Sequence, residues 1–428
     1  MTETASRAKL RAVDRRTVLK VGGATAAALA LPMPWLFRPR GKLPPSLRAD
    51  PRGILDLPPG FSYRVLSRAG DAMSDGYRVP ALADGMACFI GPKGTLVLMR
   101  NHEIGHVRRL GALHEGQAPP KEAYDASAHG GVTRIVLSAK SLDVLSQNLV
   151  LTGTIRNCAG GPSPWGWLSC EETVEDGHGF VFLCPKDATS VRAPKRIDGY
   201  GRFNHEAVAI DPKSHVAYLT EDRGDSCLYR FVPKDPRNPF EGKLQALKVP
   251  GSPRFDTASE MKIGKPVKIG WVDVPEATPK KDSVRAQARE HGAARIRRGE
   301  GIAFHKGRVF VCSTTGGRKH AGQIFVLDPA AATLSLLAEA TDTSRLDCPD
   351  NITVAPWGDV LLAEDGSGDQ FLRGITPAGK VYDIARNAMS STEFAGVCLS
   401  PDAHTLFANI QHDGLTVAIQ GPFSKLSA

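Results

Sequence analysis

Acidic residues recur at matching places along this chain, at the two ends of short apolar hairpins. Asp84 precedes one hairpin and Glu103 follows it. Glu206 precedes another, which Glu221 and Asp222 follow. Asp350 and Asn351 open a third, closed by Glu364 and Asp365, while Glu300 and Glu393 open two more. Cys158 precedes a tryptophan-rich hairpin through Pro162 to Leu168, which Glu171 and Glu172 follow. A hairpin goes out and returns, so the positions before its first strand and after its second lie at one end. If those ends meet, many carboxylates share one small volume. They would repel and desolvate one another unless cations stood between them. Hard oxygen donors suit calcium, magnesium, manganese or ferric iron, and a single thiolate among them points to a transition metal. A carboxylate at any one strand end can also be a solvated terminus. It is the recurrence that favours a common centre.

The elements that must bring these residues together are β-strands. Runs such as Ala207–Ile210 with Val216–Leu219, or Ile352–Ala355 with Val360–Leu362, pair two apolar strands across a Pro-, Gly- or Lys-containing turn. Six such hairpins occur, and 43 glycines and 31 prolines supply the breaks between them. A lone hairpin cannot bury both faces, whereas blades stacked around an axis can. The expected fold is therefore all-β, a β-propeller of six blades with a central metal-binding channel. A β-sandwich or two smaller β domains are the alternatives. Only residues 281–297 suggest a helix, and that stretch has few large apolar residues.

The net charge of +9 is unevenly placed. Eight of the 54 basic and two of the 45 acidic residues fall in the first 40, which leaves a surplus of only three beyond them. That is too weak a field for nucleic acid. Asp14-Arg15-Arg16-Thr17-Val18-Leu19-Lys20 fits a twin-arginine export signal, followed by an apolar stretch too short to span a bilayer. Residues 1–40 are accordingly expected to be a signal segment, 41–60 a linker or lead-in loop, and 61–428 one propeller domain. The expected partner in export is the twin-arginine machinery and the expected location the periplasm or the medium, with membrane association if the signal is retained. No stable membrane span is expected. The eight cysteines show no CxxC and no zinc-like spacing, and several sit within apolar runs as small core residues. No Ser-His-Asp order and no phosphate-cradling glycine loop is evident.

Several segments together resemble the PhoX-type alkaline phosphatases, from about Asp56 to Pro422. They are Arg156-Asn157-Cys158-Ala159-Gly160-Gly161 through Pro164-Trp165-Gly166-Trp167 to Glu171-Glu172, then Gly201-Arg202-Phe203-Asn204-His205-Glu206 and Arg298-Gly299-Glu300-Gly301. Cys348-Pro349-Asp350-Asn351 and Glu393 through Asp402 complete the set. The resemblance implies a propeller holding ferric iron and calcium and releasing phosphate from small phosphorylated metabolites, expected here as a monomer. Matched by position, Cys158 resembles the thiolate ligand of iron, and Glu206, Glu300 and Asp350 resemble carboxylate ligands of iron and calcium. Arg298 resembles the guanidinium that grips phosphate. Glu103, Glu171, Glu172, Glu221, Asp222, Glu364, Glu393 and His205 stand as further candidates for calcium binding or for orienting ligands, the latter role shared by His102 and Asn204. The chain is compact beside longer relatives, which bears on the loops that shape the pocket. Two other function classes are compatible with the same residues. One is a calcium-dependent propeller lactonase or esterase, and the other a non-catalytic binding propeller.

Overall fold

The computed structural model describes residues 41–427, so the expected export signal lies outside the described residues. Alternating apolar runs pair into six antiparallel sheets of four or five strands, and these are six blades of a propeller. The inner strands are Ala83–Ile90, Asn157–Ser163, His205–Ile210, Gly299–His305, Pro349–Val354 and Phe394–Leu399, here taken as blades 1 to 6. Each inner strand packs against those of its two neighbours, and blade 6 packs against blade 1, which closes the ring. The second strands, Thr95–His102, Gly166–Glu171, Ala217–Glu221, Arg308–Ser313, Val360–Glu364 and Thr405–Ile410, complete the six hairpins expected from the sequence.

Ring closure uses strands from outside the hairpins. Ser62–Arg68 forms the outer strand of blade 6 beside Leu415–Gln420, which ties the start of the domain to its end. Leu55–Asp56, within the stretch read as a lead-in loop, pairs with Arg386 and Asn387 at the edge of blade 5. Asp56 is buried there, and its carboxylate accepts from the Arg386 guanidinium at 2.8 Å.

Period-2 alternation explains how the blades stack. In blade 3, Val208 and Ile210 face a core shared with Leu168 and Val181 of blade 2. Ala207 and Ala209 face one shared with Ile302 and Val309 of blade 4. Similar apolar cores lie between the other blades, and all eight cysteines are free. The helical expectation at 281–297 shrinks to Val284–Glu290. Gly292, at φ +87°, turns the chain out of the helix, and residues 293–298 continue as the approach to blade 4. A second helical turn, Thr257–Glu260, is capped by the Asp256 carboxylate accepting from the Ala258 N–H. Among the described residues no helix is long and apolar enough to cross a membrane.

Candidate metal centre

All six inner strands begin with the same irregularity. Pairing with the second strand shifts register between Ala83 and Met86, Asn157 and Gly160, His205 and Val208, Gly299 and Ile302, Pro349 and Ile352, and Ala395 and Cys398. A bulge sets an extra residue against its partner strand and re-aims a side chain. The second residue of each inner strand, re-aimed by the bulge in blades 1 to 5, is Asp84, Cys158, Glu206, Glu300, Asp350 and, in blade 6, Ala395, which still pairs with Asn409. Five of six blades thus offer a metal-type donor at one equivalent place. Blade 6 offers Glu393 two residues earlier.

A second ring lies just beyond the second strands. The backbone N–H groups of Glu103, Glu172, Asp222 and Asp365 donate to the carbonyls of Leu82, Arg156, Asn204 and Cys348, at 2.9, 2.9, 3.3 and 2.9 Å. Thr314 and Gln411 bond in the same way to Arg298 and Glu393. These bonds lock the two hairpin ends together and hold the second ring beside the first.

The two rings converge. Cys158, Glu172 and Glu206 can each offer a ligand atom within 4.8 Å of the others, and so can Glu206, Glu300 and Asp350. Glu206 belongs to both groups. The Cys158 thiol donates to Glu206 Oε2 at 3.1 Å. Around Asp84, Gln411 Nε2 donates to Asp84 Oδ2 at 2.8 Å and to Glu103 Oε2 at 3.2 Å. Asn204 Nδ2 donates to Glu172 Oε1 at 3.1 Å. Arg298 Nε and Nη2 reach Asp222 at 2.7 and 3.3 Å, and Nη2 also reaches Glu300 Oε1 at 2.8 Å.

Electrostatics match a cation site. Burial, then repulsion from Glu300, Asp350 and Glu172, pushes the Glu206 carboxyl well above the usual carboxylate range. Burial and the neighbouring Glu103 and Glu393 do the same to Asp84. Burial and Glu206 push the Cys158 thiol up. Asp84 Oδ1 is buried and accepts no hydrogen bond among the described residues. An orphaned anionic oxygen facing other anions is a poor arrangement without a cation and a good one with it. The mixed oxygen and thiol donor set therefore fits bound metal ions, with Cys158 on the side suited to a softer transition metal.

Other sequence candidates point elsewhere, because neighbouring strand positions face opposite ways. Glu171, Glu221 and Glu364 occupy the last position of their second strands, one residue before the converging ring. Glu171 accepts from Ile155, Gly179 and His178, so it fastens the loop of blade 2. Glu221 accepts from Tyr229 and Arg285, and Glu364 from Arg373 and the Asp347 N–H. His205 stacks on Phe203 with ring centroids 3.6 Å apart, and its Nε2 meets the Gly201 carbonyl. Burial pulls that imidazole down to about 3, which keeps it neutral. His102 bonds the Ala81 carbonyl and Thr133. In this structure Glu171, Glu221, Glu364, His205 and His102 fasten the blades through these contacts. Conversely, Asp84, Arg156 and Gln411 join the centre without having been singled out as ligands. The signal for Asp84 was its place before the first hairpin.

The sequence profile described as Alkaline phosphatase PhoX matches residues 44–149 and 140–414. The chain belongs to the PhoX alkaline phosphatase family. Its activity is accordingly that of a phosphomonoesterase. Among solved structures, PhoX of Pseudomonas fluorescens in complex with vanadate, a transition state analogue, is similar at a TM-score of 0.67 and 18% identity, covering 86% of this chain and 96% of that one. At that identity the likeness concerns the propeller fold. A gluconolactonase of Xanthomonas campestris gives a TM-score of 0.45 at 11% identity, covering 85% of this chain and 99% of that one. No curated protein sequence matches. Within the PhoX family the expected six-bladed architecture is what this chain adopts.

Proposed function

We propose that this PhoX family member hydrolyses small phosphorylated metabolites at a centre of ferric iron and calcium built on the two rings described above. Cys158, Glu172, Glu206, Glu300 and Asp350 would hold the ions, with Asp84, Glu103 and Glu393 completing the calcium side. One observation carries this reading: Glu206 stands in both ligand groups, with a thiol in one and only carboxylates in the other. A calcium-only lactonase centre gives that thiol no role. The ions, when bound, supply charge neutralisation of the phosphoryl group and activation of water as nucleophile.

The protein's own side chains do the rest. Arg298 is held in a left-handed backbone conformation, φ +49°, and braced by Asp222 and Glu300. A guanidinium so fixed can grip two phosphoryl oxygens with parallel hydrogen bonds, which a lysine cannot. The side chain is 24% exposed, so it borders the mouth of the centre rather than its floor. Asn204 and Gln411 orient carboxylates by donating to them. Ala159 and Gly301, each one residue past its donor, line a cavity of about 310 Å³ together with Ala207, Ile302 and Val397.

We further propose that the Arg15-Arg16 signal directs export of the folded protein to the periplasm or medium, that the protein works as a monomer, and that membrane association follows if the signal is retained. The test is elemental analysis of the protein purified from the exported fraction, paired with a chromogenic phosphomonoester assay. Iron with calcium and turnover support the reading. Turnover with calcium alone, or full metal occupancy without turnover, refutes it.

A further inference from the structure

Arg156 stands to blade 2 as Arg298 stands to blade 4. Each immediately precedes its inner strand and lies two residues before the re-aimed donor, Cys158 or Glu300. Each has a left-handed backbone, φ +53° and +49°. Leu82 and Cys348 share that conformation at the same place in blades 1 and 5, so the backbone belongs to the blade design and the guanidinium is what is particular. Each carbonyl accepts from the residue after its own second strand, Glu172 for Arg156 and Thr314 for Arg298. Each guanidinium reaches back to the preceding blade's second-ring carboxylate. Arg298 meets Asp222 of blade 3, and Arg156 Nη2 meets Glu103 Oε1 of blade 1 at 3.0 Å. Each also touches one acid of its own blade, Glu172 for Arg156 and Glu300 for Arg298. Exposure is similar, 34% and 24% for the two side chains. Between them lies blade 3, whose Glu206 is the shared member of both ligand groups.

From this pseudo-symmetry we propose that Arg156 is a second phosphate-binding guanidinium, so that the phosphoryl group is held from both flanks of Glu206. The inference rests on the phosphomonoesterase reading for its substrate and goes beyond it in assigning this residue. Charge alone does not require arginine here, since a lysine between Glu103 and Glu172 would neutralise them as a point charge. A planar fork braced by two carboxylates is suited to presenting donors to a tetrahedral anion. Two forks and bound cations together favour an anion carrying two charges on one phosphorus, as a phosphomonoester does.

The test measures binding of inorganic phosphate by calorimetry to metal-loaded, full-length protein carrying Arg156→Gln or Arg156→Lys, with metal content determined on the same samples. Phosphate affinity should fall about tenfold or more in Arg156→Gln and remain well below wild type in Arg156→Lys, with metal content unchanged in the latter. Phosphate affinity within twofold of wild type overturns the proposal in either variant: in Arg156→Lys because a point charge then suffices, in Arg156→Gln because the guanidinium then makes no contact with phosphate. If Arg156→Gln loses metal or fails to fold, Arg156→Lys alone decides by the same criterion. Failure of the activity reading looks different. Wild type would then bind phosphate, and lose it on Arg156 substitution, without turning over any phosphomonoester.

Discussion

Replacing Glu206 by glutamine should change stability in opposite directions with and without metal. The residue is 3% exposed, and the ligand atoms of Glu300 and Asp350 lie within 4.8 Å of its own. Two unit charges 4.8 Å apart repel by about 3.5 kcal/mol at an effective dielectric of 20. Several such terms cannot simply add, because the folded protein can take up a proton instead. Neutralising a carboxyl of ordinary pKa near 4.3 at pH 7 costs about 3.7 kcal/mol, at about 1.36 kcal/mol per pH unit. That sets the ceiling on what Glu206 costs the metal-free fold. Glu206→Gln removes the charge while keeping the shape, so the metal-free protein should gain about 2–4 kcal/mol at pH 7. In the loaded protein the same change takes one donor from both groups. A hundredfold loss of affinity at the ion of each group removes about 5.5 kcal/mol of linked stabilisation in total, more than the metal-free gain. Calorimetric unfolding of chelator-treated and metal-loaded samples, wild type beside variant, should therefore show the melting temperature rise in the first pair and fall in the second. A variant no more stable than wild type after chelation would refute the idea that Glu206 sits among uncompensated charges. A loaded variant as stable as loaded wild type would remove it from the ligand set.

Cys158→Ala and Glu300→Ala should each abolish phosphomonoester turnover while circular dichroism shows a folded propeller, and retained activity in both would undo the site assignment. Arg298→Lys should raise the inhibition constant of inorganic phosphate about tenfold with metal content unchanged, since one bidentate, charge-assisted contact is lost. Gly396→Ala should destabilise by about 2 kcal/mol or more and lower metal content, measured by calorimetry and elemental analysis. The glycine has φ +65°, and an added Cβ would fall 2.1 Å from the Asp84 carbonyl oxygen. His178 is held above its ordinary pKa, because hydrogen bonds to Glu171 and Asp125 outweigh the downward pull of burial. A group raised on folding contributes fully below its unfolded pKa, near 6.5, and loses that contribution as pH climbs through the folded value. His178→Gln should thus cost about 1–2 kcal/mol at pH 5.5 and less at pH 9 in denaturant titrations, and an equal loss at both would count against the charged pair.

The β class, the six hairpins and the end of each hairpin where chemistry gathers are legible along the chain, because period-2 alternation and turn residues are local signals. The sequence marked Cys158, Glu206, Glu300 and Asp350 through repeated placement, and the same logic reached Asp84 as a hairpin start. It could not separate Glu172 from Glu171, or Asp222 from Glu221. Adjacent residues face opposite ways, and only the pairing register says which one turns inward. In blade 2 that register sets Asn157 opposite Glu171, so Glu171 turns to His178 and the loop amides while Glu172 joins the centre. The bulge that opens each inner strand was likewise invisible along the chain, since it exists only relative to a partner strand. Nor could spacing reveal that Arg156 and Arg298 are counterparts, for 141 residues and the whole of blade 3 intervene. Which donors meet was decided by closing the ring, because that alone brings strands far apart in sequence to within a ligand's reach.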